Sequence, residues 1–150
     1  MKIRLAKDKD YVAMARLRRQ TIRHVNAKDY SKAAIRRWAA EVGAKDLIES
    51  AAACKRWVAL DKDKIIGFCE HDFKGKLSRI YVHKDYLRKE IGSRLLAIAE
   101  ASLEKQGFKK IVVKSTVTAK AFYEKHGYKV IRKALHKEDR APIYKMLKKI

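Results

Sequence analysis

The segment from 77 to 100 constrains the fold most, because it combines strand-forming residues, a basic polar turn and a helix in one continuous stretch. From Ile91 onward the apolar residues recur with the period of a helix. The helix is therefore predicted to begin within 90–93, where its first backbone amides are unpaired and carry partial positive charge. Arg88 and Lys89 come just before that start, so the segment predicts an anion site. The same pattern is also typical of an ordinary solvated turn, so the segment alone leaves both interpretations open.

Length and composition favour one domain that spans residues 1–150. The chain has 150 residues, 47% of them hydrophobic, and a formal net charge of +21. Such a charge attracts polyanions in general, without selecting among nucleic acid, acidic membrane and a phosphorylated cofactor. Cys54 and Cys69 are isolated and lack the spacing of metal ligands, and no export signal opens the chain. We therefore predict a soluble cytoplasmic protein without a metal site or a membrane span.

The predicted elements alternate between strands and helices without internal repeats. A strand at 2–5 is followed by a helix that Asp8 or Asp10 could cap, and by a second helix that Ser31 caps and Gly43 ends. The remaining predicted elements are a helical stretch at 45–54, hairpin strands at 57–60 and 65–73, the strand and helix of the opening segment, a strand at 110–114, a short helix at 119–125, and closing strands at 128–135 and 143–147. Gly107 is predicted to end the helix of the opening segment. This order favours a mixed sheet that is covered by helices on both faces.

A second segment, 115–130, resembles a known family when it is taken together with the first. The phrase N-x-x-A-x-x-F-Y-E-K-x-G-F/Y, typical of the GNAT superfamily of acyl-CoA-dependent N-acetyltransferases, is matched by Ala119, Phe122, Tyr123, Glu124, Lys125, Gly127 and Tyr128. Asp29-Tyr30-Ser31 with Trp38 is similar to a bacterial branch of small GNAT enzymes. The resemblance implies a single GNAT-like α/β domain with a mixed, mostly antiparallel central sheet and helices on both faces. It also implies acetyl-CoA as the cofactor.

The resemblance assigns a set of residues to the cofactor, and some of them depart from the family pattern. The set is Ile80, Tyr81, Val82, Arg88, Lys89, Glu90, Ile91, Gly92, Ser93, Thr116, Ala119, Phe122 and Tyr123. The family loop reads Q/R-x-x-G-x-G/A, and of the aligned residues 87–92 only Gly92 keeps a glycine of that pattern. Leu87 supplies no polar side chain, and Glu90 stands where a glycine normally lets the backbone approach a pyrophosphate. Thr116 replaces the usual Asn, so these changes bear on cofactor affinity more than on fold.

The resemblance also implies catalytic roles. Tyr123 matches the usual donor of a proton or hydrogen bond to the leaving thiolate, and a backbone amide near 81–82 would receive the developing oxyanion. Glu70 and His71 end the strand before the turn at Gly75, so either could accept the proton of the amine, although polar strand ends are commonly only solvated.

Three functions therefore follow from the sequence. The first is an acetyl-CoA-dependent N-acetyltransferase that moves an acetyl group directly to a primary amine of a small molecule or peptide, acting as a monomer or homodimer. The second is a GNAT-fold binding module with weak or no catalysis, suggested by Leu87 and Glu90. The third is a basic nucleic-acid-binding protein, which the scattered cations and the missing RNA-binding aromatic phrase disfavour.

Overall fold

A computed structural model describes all 150 residues, and its elements follow the predicted order. The strands are β1 (Lys2–Leu5), β2 (Cys54–Asp61), β3 (Lys64–Asp72), β4 (Lys76–Val82), β5 (Lys110–Ser115), β6 (Lys129–Leu135) and β7 (Pro142–Lys149). The helices are α1 (Tyr11–His24), α2 (Lys32–Ala40), α3 (Ala44–Glu49), α4 (Ile91–Lys105) and α5 (Lys120–Lys125). None of the helices combines the length and the apolar character that crossing a bilayer requires.

The seven strands form one sheet in the order β1-β2-β3-β4-β5-β7-β6. Every neighbouring pair is antiparallel except β4 and β5, which are parallel. This confirms the predicted mixed, mostly antiparallel sheet. The parallel pair lies at the centre, where α4 makes the crossover between its two strands.

Helices cover both faces of the sheet, as predicted. Alternate residues of a strand point to opposite faces, and Val58 and Phe68 pack in a cluster with α1 and α3, while Trp57 and Cys69 pack in another with α4. Leu95, like Leu96 and Leu103 on the same face of α4, is completely buried. Each such side chain stabilises the fold by roughly 1.5–3 kcal/mol through removal of apolar surface from water.

A bulge in β4 was not predicted, and it positions the site. Glu70 of β3 pairs with Arg79 and His71 pairs with Leu77, so Ser78 has no partner in β3. One extra residue reverses the alternation of side chains. As a result Leu77 packs in the α4 cluster, whereas Arg79 points to the face that carries α1 and α3.

The central strands diverge immediately after this bulge. Pairing between β4 and β5 is confined to two positions, Lys76 with Val112 and Leu77 with Val113. On the side of β5, no strand pairs with the remainder of β4, and a cleft opens between the two strands.

Two of the predicted helix boundaries are confirmed, and the predicted cap of α1 is not. The Ser31 hydroxyl accepts a hydrogen bond from the Ala34 amide at 3.1 Å, and Gly107 ends α4 with a φ of +97°. Asp10 precedes α1, but its carboxylate binds the Arg4 guanidinium at 2.7 Å instead of capping the helix.

The region between α2 and β2 also differs from the prediction. Helix α2 stops at Ala40, so Gly43 does not end it. Gly43 has an extended backbone, with a φ of −162°, and immediately precedes α3. The predicted helix at 45–54 ends at Glu49, because Cys54 pairs with Asp72 as the first residue of β2. The alanines at 51–53 still form a single 3-10 turn between α3 and β2.

Candidate active site

A cavity of about 550 Å³ occupies the cleft between β4 and β5. The start of α4 and the helix α5 form one side, and the end of α1 forms the other. All of the predicted cofactor residues line it except Lys89, whose ammonium lies 5.4 Å from the centre of the Tyr86 ring. The structure therefore brings together two predicted segments that are about thirty residues apart in sequence.

The start of α4 presents unpaired backbone amides to this cavity. The first bond of the helical ladder runs from the Arg94 amide to the Glu90 carbonyl, so the amides of 91–93 point out of the helix end. Arg88 and Glu90 adopt left-handed backbone conformations, with φ of 61° and 62°. Glu90 is exposed and its side chain makes no capping bond. The predicted anion site is thus present as geometry, with one carboxylate at its rim.

Gly92 allows a close approach between α4 and α5. A β-carbon at this position would lie 3.3 Å from the Phe122 ring and 3.7 Å from Val82, so even an alanine would be crowded. The glycine lets α4 and α5 pack closely at the cavity wall. This wall is lined by backbone and aromatic surface, which suits an extended ligand.

The free edge of β4 presents backbone amides to the cavity. The His83 amide donates to the Ile66 carbonyl of β3 at 2.8 Å. Because successive amides of a strand point to opposite edges, the amides of Val82 and Ile80 point toward the cleft, and that of Tyr81 points toward β3. The Thr21 hydroxyl donates to the Val82 carbonyl at 3.3 Å and fixes this edge from α1.

Tyr123 is buried at the inner end of the cavity. Its ring packs against those of Phe122 and Tyr128, at centroid distances of 5.4 and 5.5 Å. Its hydroxyl has no hydrogen-bond partner in the protein. Because every fully buried polar side-chain atom does have a partner, the Tyr123 hydroxyl must be accessible from the cavity. Burial raises the pKa of Tyr123 well above its usual value, so the phenol keeps its proton at neutral pH.

Glu70 and His71 lie outside the cavity and on opposite faces of the sheet. The buried Glu70 carboxylate is held by Arg56 at 2.6 Å and by Arg79 at 3.3 Å. The His71 ring faces α4 and lies 2.9 Å from the Ser102 hydroxyl, and burial lowers the pKa of His71. The structure does not bring either residue next to Tyr123.

Arg79 and Tyr81 share the face of β4 that is turned toward α1. Arg18 of α1 donates to the Tyr81 hydroxyl at 3.2 Å and to Asp46 at 3.2 Å, and Arg79 also binds Asp46, at 3.0 Å. A continuous network of five charged groups results: Arg18, Asp46, Arg79, Glu70 and Arg56. Arg79 is the member of this network that lines the cavity, and Tyr81, which is bonded to Arg18, lines it as well.

The segment after α1 is fastened across the mouth of the cleft. The Val117 amide donates to the Tyr30 hydroxyl at 2.6 Å, and the Thr118 hydroxyl donates to Asp29 at 2.8 Å. Trp38 of α2 supports the Tyr30 ring at 4.9 Å in an edge contact. The Asp29-Tyr30-Ser31 phrase therefore joins α1 and α2 to the loop between β5 and α5.

Asn26 is a cavity residue that sequence reasoning missed. It is only 7% exposed, lines the cavity, and its side-chain amide makes no hydrogen bond with the protein. An isolated Asn at the end of a helix is typical of a cap or a loop, so no signal in the sequence singled it out.

The sequence profile of the Acetyltransferase (GNAT) domain family matches residues 26–150. The chain belongs to the GNAT family. Membership makes the protein an acyltransferase of the N-acetyltransferase class, and acetyl-CoA is the usual donor in this family. The matched range includes both segments that line the cavity. A comparison with curated protein sequences found no match.

Solved structures of other proteins share this fold. A GCN5-related N-acetyltransferase from Rhodopseudomonas palustris is 20% identical and superposes with a TM-score of 0.92, over 99% of this chain and 95% of that one. The PaiA N-acetyltransferase from Thermoplasma acidophilum, solved with coenzyme A, is 24% identical with a TM-score of 0.78 over the full length of both chains. The aminoglycoside 6'-N-acetyltransferase from Enterococcus faecium is 17% identical, with a TM-score of 0.75 over 99% of this chain and 97% of that one.

Proposed function

We propose that this protein transfers the acetyl group of acetyl-CoA directly to a primary amine of a small molecule or peptide. The observation that carries the proposal is the hydroxyl of the largely buried Tyr123, which has no protein partner and opens onto the same cavity as the free amides of β4 and α4. A donor for a leaving group, donors for an oxyanion and a phosphate site are the groups that such a transfer needs.

The residues present fit coenzyme A. The amides of 91–93 and the cations Arg88 and Lys89 would hold its pyrophosphate at the positive end of a fifteen-residue helix. The edge of β4 at Ile80 and Val82 offers backbone groups to the amides of the cofactor arm, beside the ring of Phe122. Tyr81, Glu90, Thr116 and Ala119 belong to the same proposed site.

Two groups of the chain would act on the reacting atoms. Acetyl-CoA would supply a thioester, whose acetyl carbon forms a bond to the amine nitrogen while its bond to sulfur breaks. One of the two β4 amides that point into the cleft, that of Ile80 or that of Val82, would stabilise the negative charge on the carbonyl oxygen, because amides two residues apart on a strand edge cannot both reach one oxygen. Tyr123 would donate a hydrogen bond or its proton to the departing sulfur, which leaves as the thiol.

The two predicted bases are ranked by their positions. Glu70 shares a face with Arg79, and it would reach an acceptor only through that side chain and water. His71 lies on the opposite face among residues of α4, which argues against a role in proton transfer. The alternative of a binding module with weak catalysis is favoured by one feature, the Glu90 carboxylate at the rim of the phosphate site.

The location of the protein and its oligomeric state complete the proposal. We propose a cytoplasmic location, which the free thiols of Cys54 and Cys69 support. Burial raises the pKa of Cys69 to about 12, so that thiol is unreactive. A monomer or homodimer is the proposed state.

Thermal unfolding with coenzyme A tests the cofactor site. A ligand that binds the native state alone stabilises it by about 2.7 kcal/mol at a hundredfold excess over Kd, which would raise the Tm measurably. Arg88→Glu should remove most of this shift. Arg132→Glu, a matched charge reversal on an exposed residue of β6, should retain it.

Two outcomes would contradict the proposal. If millimolar coenzyme A leaves the Tm of the parent protein unchanged, the cofactor site is wrong and the basic surface as a nucleic-acid interface becomes the better hypothesis. If coenzyme A raises the Tm of Arg88→Glu as much as it raises that of the parent, the pyrophosphate of the cofactor binds elsewhere.

A further inference from the structure

The cavity has a second half, opposite the cofactor residues, which we call the acceptor half. It is lined by Thr21 and Asn26 from the α1 region, Arg79 and Tyr81 from β4, and Lys114 from β5. Lys114 belongs to this half because Ile111 and Val113 of β5 are buried in the α4 cluster, so the side chain of Lys114 points to the opposite face.

The charge of the whole cavity is predominantly positive. Arg79, Arg88, Lys114 and Lys125 line it, and Glu90 is the single acidic residue among the lining side chains. Glu90 lies at the start of α4, on the cofactor side. The acceptor half therefore has no carboxylate of its own.

The nearest carboxylates on that face are already committed. Glu70 is bound by Arg56 and Arg79, and Asp46 is bound by Arg18 and Arg79. Three guanidinium groups thus face two carboxylates, and Lys114 adds a further positive charge. A polycationic acceptor would meet net positive charge here without a free anion to bind.

We propose that the acceptor is a small primary amine that also bears an anionic group, a carboxylate or a phosphate, which Lys114 and Arg79 anchor. The inference rests on the proposed acetyltransferase function and names the substrate class of the same site. Asn26, whose side-chain amide faces the cavity without a protein partner, orients the amine by accepting a hydrogen bond from it at the amide oxygen.

This charge arrangement also accounts for the missing base in the cavity. Positive charge near a bound ammonium favours its neutral form and so lowers its pKa. An amine that is held in place by its anionic group would then lose its proton to water, without a carboxylate beside it. The same cations that select the acceptor therefore help to activate it.

Initial rates of thiol release with matched acceptors test this proposal. L-Leucine is compared with L-leucinamide, D-glucosamine 6-phosphate with D-glucosamine, and both pairs with spermidine. One charge-assisted contact predicts a kcat/KM that is roughly tenfold to a hundredfold higher for the acceptor with an anionic group than for the matched acceptor without one. The pair with the larger ratio distinguishes carboxylate from phosphate, and the ratio should fall with added salt.

Lys114→Glu should reduce that ratio by about tenfold or reverse it. Lys110→Glu is the matched control, because Lys110 is an exposed residue on the same face of β5 that does not line the cavity. Arg79 is a poorer choice for substitution, since its removal would leave Glu70 and Asp46 each with one cation fewer.

The proposal is overturned by equal rates within both pairs, by faster acetylation of spermidine, or by an unchanged ratio in Lys114→Glu. Acetyl transfer would still be observed in each of these cases, so the proposed function would stand. If coenzyme A binds and no acceptor of any charge is acetylated, the proposed function fails and this inference fails with it.

Discussion

Glu90 offers the sharpest test of how the phosphate site is built, because it combines an unfavourable backbone conformation with an unfavourable charge. Its φ of 62° lies in the left-handed region, which costs an L-residue roughly 1–2 kcal/mol. Glycine avoids this cost but loses about 0.5–1 kcal/mol through its greater freedom in the unfolded chain. Glu90→Gly should therefore raise the free energy of unfolding by roughly 0.5–1 kcal/mol, or the Tm by about 2 °C.

The charge contributes separately to cofactor affinity. A carboxylate at the rim of a phosphate site costs on the order of 1 kcal/mol, which corresponds to about fivefold in Kd. Glu90→Gln removes the charge and keeps the β-carbon, so it should tighten coenzyme A about fivefold and leave the Tm of the free protein unchanged. Glu90→Gly should do both.

Isothermal titration with coenzyme A and thermal unfolding of the free protein measure the two effects independently. If Glu90→Gly does not stabilise the protein, the left-handed conformation carries no strain. If both variants bind coenzyme A more weakly than the parent does, Glu90 contributes to binding instead of opposing it, and the electrostatic reasoning is wrong.

Three further predictions concern individual side chains. Tyr123→Phe should lower turnover by roughly tenfold to a thousandfold with cofactor affinity intact, whereas Tyr128→Phe, a control at a neighbouring buried ring, should change stability more than rate; equal rates for Tyr123→Phe and the parent would exclude the acid role. His71→Gln should leave the pH–rate profile of the parent in place, and loss of a titration from that profile would restore His71 as a base; Glu70→Gln, by contrast, should lower the Tm because it leaves Arg56 without its buried partner. The hydrogen bond from Arg4 lowers the pKa of Asp10, so the ion pair stabilises the fold above about pH 4 and this stabilisation is lost as the pH falls. Asp10→Asn should therefore make the free energy of unfolding less dependent on acid pH, and an unchanged pH dependence would show that the ion pair contributes nothing.

Much of the fold could be predicted because its elements carry local signals. Helical periodicity from Ile91, the Ser31 cap and the glycine at 107 are set by neighbours in sequence, and the structure retains all three. Asp10 is an instructive exception, since Arg4 is close only after β1 and α1 have packed. A cap prediction fails when a distant partner competes for the same carboxylate.

The candidate site was less predictable because it depends on strand register. Glu70 and His71 end their strand, so the sequence suggested that they face an acceptor, but the cleft opens beside 80–82 of the next strand. The extra residue at Ser78 has no sequence signature, because a bulge is defined only against the partner strand. Asn26 was missed for a related reason: its burial depends on contacts across the cleft.

The bulge at Ser78 also limits how this chain can change its length. If that one residue were deleted, β4 would pair with β3 as a regular ladder, and one half of the strand would turn to the opposite face. Either Leu77 would leave the apolar layer under α4, or the Arg79 guanidinium would enter it, at a cost of several kcal/mol. The open strand edge and the placement of Arg79 and Tyr81 therefore depend on the number of residues in β4. A deletion at Ser78 would remove the binding cleft and its charge pattern together, whereas most substitutions of Ser78 would preserve both.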